Sequence, residues 1–542
     1  MQKIAFLFIS SLFIISCQKP EPVDLVVINA NVYTVEDANP KAEAFAIKDG
    51  KFIGVGSSEE ILNSYSSDTT IDADGKTIVP GLIDAHCHFY NLGMQLQKVD
   101  LVGTQSYDEV LERIIAFQKQ KNVTFITGRG WDQNDWQVQE FPNKKRLDSL
   151  FPDTPVAVRR VDGHAMLANQ KALDMAGITA ETKVPGGEVI LKDGELTGVL
   201  VDTPMGMVDA VVPKPTVKEQ IQALKDAEKI NFSYGLTTVD DAGLGPEVIS
   251  IIDSLQKKEA LKIRMYVMVS NVPEYVDLYL KNGVHKTDQL NVSSFKVYAD
   301  GALGSRGAVL KAPYSDKEDH HGAMVIGVEE FKTLAKRLAG SPFQMNTHAI
   351  GDSANAVVMK TYYDVLQNKS DRRWRVEHAQ VVAPEEFEAL NNNLVMSVQP
   401  THATSDMYWA DERLGEKRIK GAYAYKQLLN KTGMLALGTD YPVEHVSPFY
   451  TFYAAVARKD LKQYPEGGFQ KEDALSREET LKGMTIWAAY SNFEETEKGS
   501  ITSGKFADFV ILEDNIMEIE EDKIPNTKVK ATYINGEQVY GN

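Results

Sequence analysis

Val79-Pro80-Gly81-Leu82-Ile83-Asp84-Ala85-His86-Cys87-His88 is an apolar run that ends in two histidines one residue apart. Side chains alternate across a β-strand, so His86 and His88 share one face while Cys87 takes the other. In a closed parallel barrel the shared face is the interior, at the C-terminal mouth where barrel enzymes keep their active sites. Two imidazoles held side by side suit a borderline-soft metal such as zinc. A polar strand end that binds nothing is the competing reading. Cys87 is expected to be a small packed residue rather than a ligand.

Strand-like runs recur at 81–85, 236–240, 263–269, 294–298, 343–347, 374–377, 395–399 and 435–439, with helical patterns at 221–229, 329–339, 354–366 and 385–391. That alternation implies βαβ units and a parallel sheet, and eight such strands close a barrel. The stretch from about 95 to 230 is too long for one crossover and carries strand-like runs of its own at 124–127 and 155–159, so it reads as an insertion after the first strand. Short strands flank turns at both chain ends, 44–47 and 52–55 around Asp49-Gly50, 529–534 and 537–540 around Asn535-Gly536. The fold expected is α/β, a (β/α)8 TIM barrel over 81–494. Residues 18–80 and 495–542 would together form a small β-sandwich.

The chain has 542 residues, 43% hydrophobic and 25% charged, with a formal net charge of −18. That balance argues against nucleic acid as a partner, since phosphate binding wants a basic face. At the N-terminus Lys3 precedes an apolar run over 4–15, then Ser16-Cys17-Gln18-Lys19-Pro20. The run is too short for a span of about 20 residues and fits a signal-peptide core. Its ending, Ile14-Ile15-Ser16-Cys17, resembles a bacterial lipobox. The resemblance implies a lipoprotein signal peptide over 1–17 whose Cys17 is lipidated and becomes the first residue of the mature protein, and export to the periplasmic or cell-surface side of a membrane. A buried helix and an uncleaved anchor are the alternatives. Cys17 and Cys87 are the only cysteines, so no disulfide framework is expected.

Further polar residues stand at other strand ends. Lys296 sits inside the apolar Phe295-Lys296-Val297-Tyr298. Burial there favours the neutral amine, which reacts with carbon dioxide to give a carbamate able to bridge two metals. An ion pair with Asp300 or Asp440 is the alternative. His348, His378 and Asp440 close the fifth, sixth and eighth strands.

His-x-His on strand one, Lys on four, His on five and six and Asp on eight together resemble the amidohydrolase superfamily, whose members carry this pattern in a (β/α)8 barrel. The segments 79–88, 296–308, 347–352, 377–380 and 437–443 look most like amidohydrolase family 3, the branch that includes N-substituted formamide deformylases. Residues 499–508 resemble that family's return to its sandwich. The resemblance implies His86 and His88 on one metal, His348 and His378 on a second, and carbamylated Lys296 between them. Asp440 would ligate the first metal, take a proton from its water and pass it to the leaving nitrogen. Coordination lowers the pKa of water to roughly 7, and the metal polarises the substrate carbonyl. The cofactor implied is a divalent metal, zinc first, one or two per chain.

The reaction implied is hydrolysis of a non-peptide C–N bond (amide, N-acyl or N-formyl) in a small molecule, by a metal-bound hydroxide. The alternatives are a mononuclear deaminase or cyclic-amide hydrolase of the same superfamily, and a non-catalytic binding lipoprotein. Within the insertion, Gly128-Arg129-Gly130-Trp131 and the stretch ending in Gly163-His164 resemble segments that fold over the barrel mouth. Trp131, with Trp136, is expected to wall the substrate site, and His164 to bond the substrate or the tetrahedral intermediate. A place for both tryptophans in the core of the inserted unit stays open. His402, just past the seventh strand, is expected to face the substrate. Arg306 is expected to meet an anionic group, or else to sit in a tight turn. The identity of the substrate is left open, as is the oligomeric state, a dimer included.

Overall fold

All eight runs expected as barrel strands form, and they lie in chain order in one parallel sheet of a computed structural model that describes residues 19–541 apart from 368 and 370. The strands are β1 (Leu82–Cys87), β2 (Leu236–Leu244), β3 (Arg264–Ser270), β4 (Leu290–Tyr298), β5 (Gln344–Ala349), β6 (Trp374–His378), β7 (Leu394–Val398) and β8 (Leu435–Leu437). Helices cover the outside, so each strand is buried on both faces and reads as a nearly continuous apolar run. Val328–Ala339 is representative of those helices, burying Phe331, Ala335, Leu338 and Ala339 on one stripe. The helix expected at 385–391 is shorter, Pro384–Phe387. Beyond it Ala389 N and Leu390 N reach back three residues rather than four.

The barrel closes where β1 meets the end of β8. Asp440 N donates to His86 O at 2.7 Å, and His88 N donates to Tyr441 O at 2.8 Å. The buried Asp84 carboxylate accepts from Thr439 N at 3.0 Å and Thr439 Oγ1 at 2.7 Å. Gly438 makes the approach possible: a Cβ there would stand 2.4 Å from His86 N.

The two chain ends share a β-sandwich. One sheet runs Glu537–Gly541, Val529–Ile534, Phe509–Leu512, Thr77–Pro80, Asn31–Tyr33, Lys41–Ala42, so C-terminal and N-terminal strands pair directly, antiparallel, between Phe509–Leu512 and Thr77–Pro80. The second sheet runs Lys51–Gly56, Ala44–Lys48, Leu25–Ile28, Thr70–Asp72. Val27, Phe45, Phe52, Ile78, Phe509 and Tyr533 fill the space between them. Asp49 (φ 51°) and Gly50 (φ 74°) are both left-handed, as are Asn535 (φ 51°) and Gly536 (φ 74°). That is what two-residue hairpin turns require.

The insertion after β1 builds its own six-stranded sheet, ordered Val99–Asp100, Ile126–Trp131, Val156–Arg160, Ala165–Ala168, Glu195–Asp202, Gly187–Lys192. It has its own core, with Leu101, Ile114, Trp131, Trp136, Leu147 and Val158. The proposed signal peptide and Cys17 lie outside the described residues. Among the described residues no helix is long and apolar enough to cross a membrane.

Candidate metal centre

Strand alternation brings His86, Lys296, His348 and His378 inward at the C-terminal ends of β1, β4, β5 and β6, and the seam between β1 and β8 adds Asp440. His378 (φ 72°) and Asp440 (φ 62°) hold left-handed backbone. For a residue with a Cβ this costs on the order of 1–3 kcal/mol and gathers at functional sites. The result is a tight cluster. Lys296 Nζ is 3.0 Å from His86 Nε2. Asp440 Oδ1 lies 3.2 Å from His88 Nε2 and 3.7 Å from His86 Nε2. The ring of His378 is 4.9 Å from that of His86 and 4.5 Å from that of His348, centre to centre.

The ion pair with Asp300 considered for Lys296 does not form. The Asp300 carboxylate is taken up by three backbone N–H groups, from Val309, Ile350 and Gly351, at 2.9, 3.0 and 2.8 Å. Cys87 packs in the main core, with Sγ 3.6 Å from the carbonyl of Asp240.

Burial, reinforced by Lys296, pushes His86 down to about 4 and His348 down to about 3, so both rings are neutral and offer a lone pair. Burial also lowers the Lys296 ammonium, to about 8. Burial would raise Asp440, but the hydrogen bond from His402 and the facing imidazoles outweigh it and hold the carboxylate well below its ordinary range.

His348 Nε2 and Asp440 Oδ1 are buried without a hydrogen-bond partner. The ligand atoms of His86, His88 and Asp440 lie within 4.8 Å of one another, as do those of His378, His402 and Asp440. The two partnerless acceptors, His348 Nε2 and Asp440 Oδ1, fit a cation.

His402, expected to face the substrate, stands inside the cluster. Its Nε2 is 3.3 Å from Asp440 Oδ2, and its Nδ1 is 3.1 Å from Glu444 Oε1. Burial lowers its pKa, but the two carboxylates outweigh that and push it up to about 10. A cavity of about 380 Å³ opens above the cluster, its wall formed in part by Tyr298, Leu303, Ile350, Trp409 and Val443.

Three expected substrate contacts are not brought to this cavity. Trp131 is 1% exposed in the insertion core, where its indole N–H donates to Val158 O at 2.9 Å and its ring packs on Trp136. The inserted unit needs its own apolar centre, and both tryptophans supply it. His164 points to solvent with its side chain 75% exposed, bonded to Asp202 at 2.7 Å. Arg306 is held by Asp316 through Nε at 3.1 Å and Nη2 at 2.6 Å, so its charge is answered outside the cavity wall.

Sequence reasoning missed Glu377, which accepts from His86 Nδ1 and is itself held by Arg375. The signal was there: two charged residues, i and i+2, on one face of a strand buried on both sides.

Neutral imidazoles and an ionised carboxylate facing one another at a barrel mouth are the marks of a metal-dependent hydrolase. Comparison with known proteins narrows the class. The chain matches the amidohydrolase family over residues 69–540, and it belongs to that family. It is an enzyme acting on carbon–nitrogen bonds other than peptide bonds. Protein LONG AFTER FAR-RED 3 of Arabidopsis thaliana is 34% identical, over 95% of this chain and 91% of that protein. An N-substituted formamide deformylase of Arthrobacter pascens is 24% identical, over 95% of this chain and 97% of that protein. An uncharacterized metal-dependent hydrolase from Pyrococcus horikoshii has a similar structure. Its TM-score is 0.75 at 28% identity, covering 92% of this chain and 99% of that one.

Proposed function

We propose that the protein hydrolyses an N-acyl or N-formyl amide of a small molecule, releasing an amine and a carboxylate. The observation that carries this is the convergence of unprotonated, partnerless acceptor atoms, His348 Nε2 and Asp440 Oδ1, beside His86, His88 and His378. These residues would hold divalent metal, zinc by the chemistry of the donor set, with a carbamate on Lys296 if two ions bind. When bound, the metal supplies a Lewis acid that polarises a carbonyl and brings the pKa of water to about 7.

The chain's own residues do the rest. Asp440 is placed to take the proton of the attacking water and to return it to the departing nitrogen, which leaves poorly as an anion. His402, anchored by Glu444, keeps the second Asp440 oxygen oriented. Leu303, Ile350, Trp409 and Val443 give the cavity an apolar side, which shields the reacting bond from bulk water and takes the apolar part of the substrate. The similarity to an N-substituted formamide deformylase supports the formyl end of the range.

The test is metal content by elemental mass spectrometry on protein lacking residues 1–17, wild type against Lys296→Ala, with a screen of N-formyl and N-acyl amines read by amine release. About two ions per chain that fall on mutation, with amine released, support the two-metal reading. Protein that takes up no metal and releases no amine refutes the proposal.

The lipobox-like Ile14-Ile15-Ser16-Cys17 supports export and anchoring through Cys17. Fatty-acid labelling that persists in Cys17→Ala would refute that part.

A further inference from the structure

His86 and His378 are backed by different groups. His86 Nδ1 donates to the Glu377 carboxylate, whereas His378 Nδ1 meets the neutral carboxamide oxygen of Gln399 at 2.7 Å. Glu377 is clamped. Arg375 Nε donates to its Oε1 at 2.7 Å, and Arg375 Nη1 donates to Asp240 Oδ2 at 2.8 Å. The other Asp240 oxygen accepts from Asn492 Nδ2 at 2.7 Å. Arg375 Nη2 donates to Ser397 Oγ at 2.9 Å and to the carbonyl of Ala85. Glu377, Arg375 and Asp240 are completely buried.

Taking two carboxylates and a guanidinium out of water is expensive, and apolar residues of the same volume would stabilise a barrel floor as well or better. Packing therefore does not account for this set. The only cluster histidine it bonds is His86. A carboxylate that accepts the Nδ1 proton fixes the tautomer and turns the Nε2 lone pair toward Asp440 and Lys296. It also makes the ring a stronger donor than an amide backing does.

We propose that Glu377, clamped by Arg375 and Asp240, is the positioning residue that makes the His86–His88–Asp440 corner the tighter metal position, the one that fills first. This rests on the metal-dependent reading above. The position formed by His348 and His378, where His378 is backed by an uncharged group, is the weaker one.

The experiment is a zinc titration of the full-length apo-protein against a chromogenic chelator. Glu377→Gln is expected to weaken the first zinc by about 10–100-fold and to leave the second nearly unchanged. Because loss of one counter-ion from Arg375 can unfold the barrel, Glu377→Asp is measured beside it. Aspartate keeps the charge but withdraws it from His86 by one methylene, so the first zinc weakens while the apo-protein keeps its melting temperature within about 5 °C. Gln399→Ala is expected to weaken only the second zinc. A merely structural role predicts lower apo stability with unchanged zinc affinity in the folded protein. That result, or Glu377→Asp binding within about twofold of wild type, overturns the proposal. A wild-type protein that takes up no zinc at all overturns it together with the zinc reading on which it rests.

Discussion

Arg264, buried at the start of β3, grips both oxygens of Asp508, with Nε 2.6 Å from Oδ2 and Nη2 3.0 Å from Oδ1. The same Nη2 reaches Asn535 Oδ1 at 2.5 Å. Asp508 directly precedes the sandwich strand Phe509–Leu512, so this pair fastens the sandwich to the barrel at the end away from the histidines. Breaking a buried pair leaves an uncompensated charge, so Asp508→Ala is expected to cost about 3–5 kcal/mol. Urea unfolding measures it, and the metal content of the folded fraction is expected to stay at the wild-type level.

Asp440→Asn keeps the shape and removes the carboxylate proposed above as the proton acceptor. We expect kcat for amine release to fall by about 10²–10⁴-fold, the usual reach of a positioned acid–base group. Metal content is measured on the same sample, so loss of an ion is not mistaken for loss of the base.

Trp131→Ala separates a core residue from a substrate wall. The structure predicts a loss of about 3–5 kcal/mol from the insertion, as for other buried large-to-small changes. KM is expected to stay the same for small and for aromatic substrates. Thermal unfolding and steady-state kinetics on the same variant decide it.

Gly438→Ala strikes the barrel seam. The new methyl would lie 2.4 Å from His86 N, so either β8 or the His86 backbone must shift. A loss of about 1–3 kcal/mol is expected, typical of overpacking. A fall in bound metal is expected with it, because His86 moves with its backbone. Full metal content in a stable Gly438→Ala protein would show that the seam tolerates the shift.

Much of the barrel, and of the cluster of histidines at its mouth, was legible in the chain because both rest on local rules. Side chains alternate with period two along a strand, so His86 and His88 share a face whatever surrounds them. Asp49-Gly50 and Asn535-Gly536 favour left-handed turns through their own backbone preferences. The apolar runs of β1 to β8 follow from burial on both faces.

What lay beyond reach was the identity of each side chain's distant neighbour. Glu377 was visible as a charge in a buried strand, yet its bond to His86, 291 positions away, exists only once β1 and β6 are brought into one barrel. Trp131 suited both a substrate wall and a core, and the independent sheet of the insertion decided for the core. Arg306 looked available until the loop that folds back to Asp316 neutralised it. Alternation and turn chemistry act over a few residues and are written in the chain. Charge pairing and packing act between elements and are settled only when those elements meet.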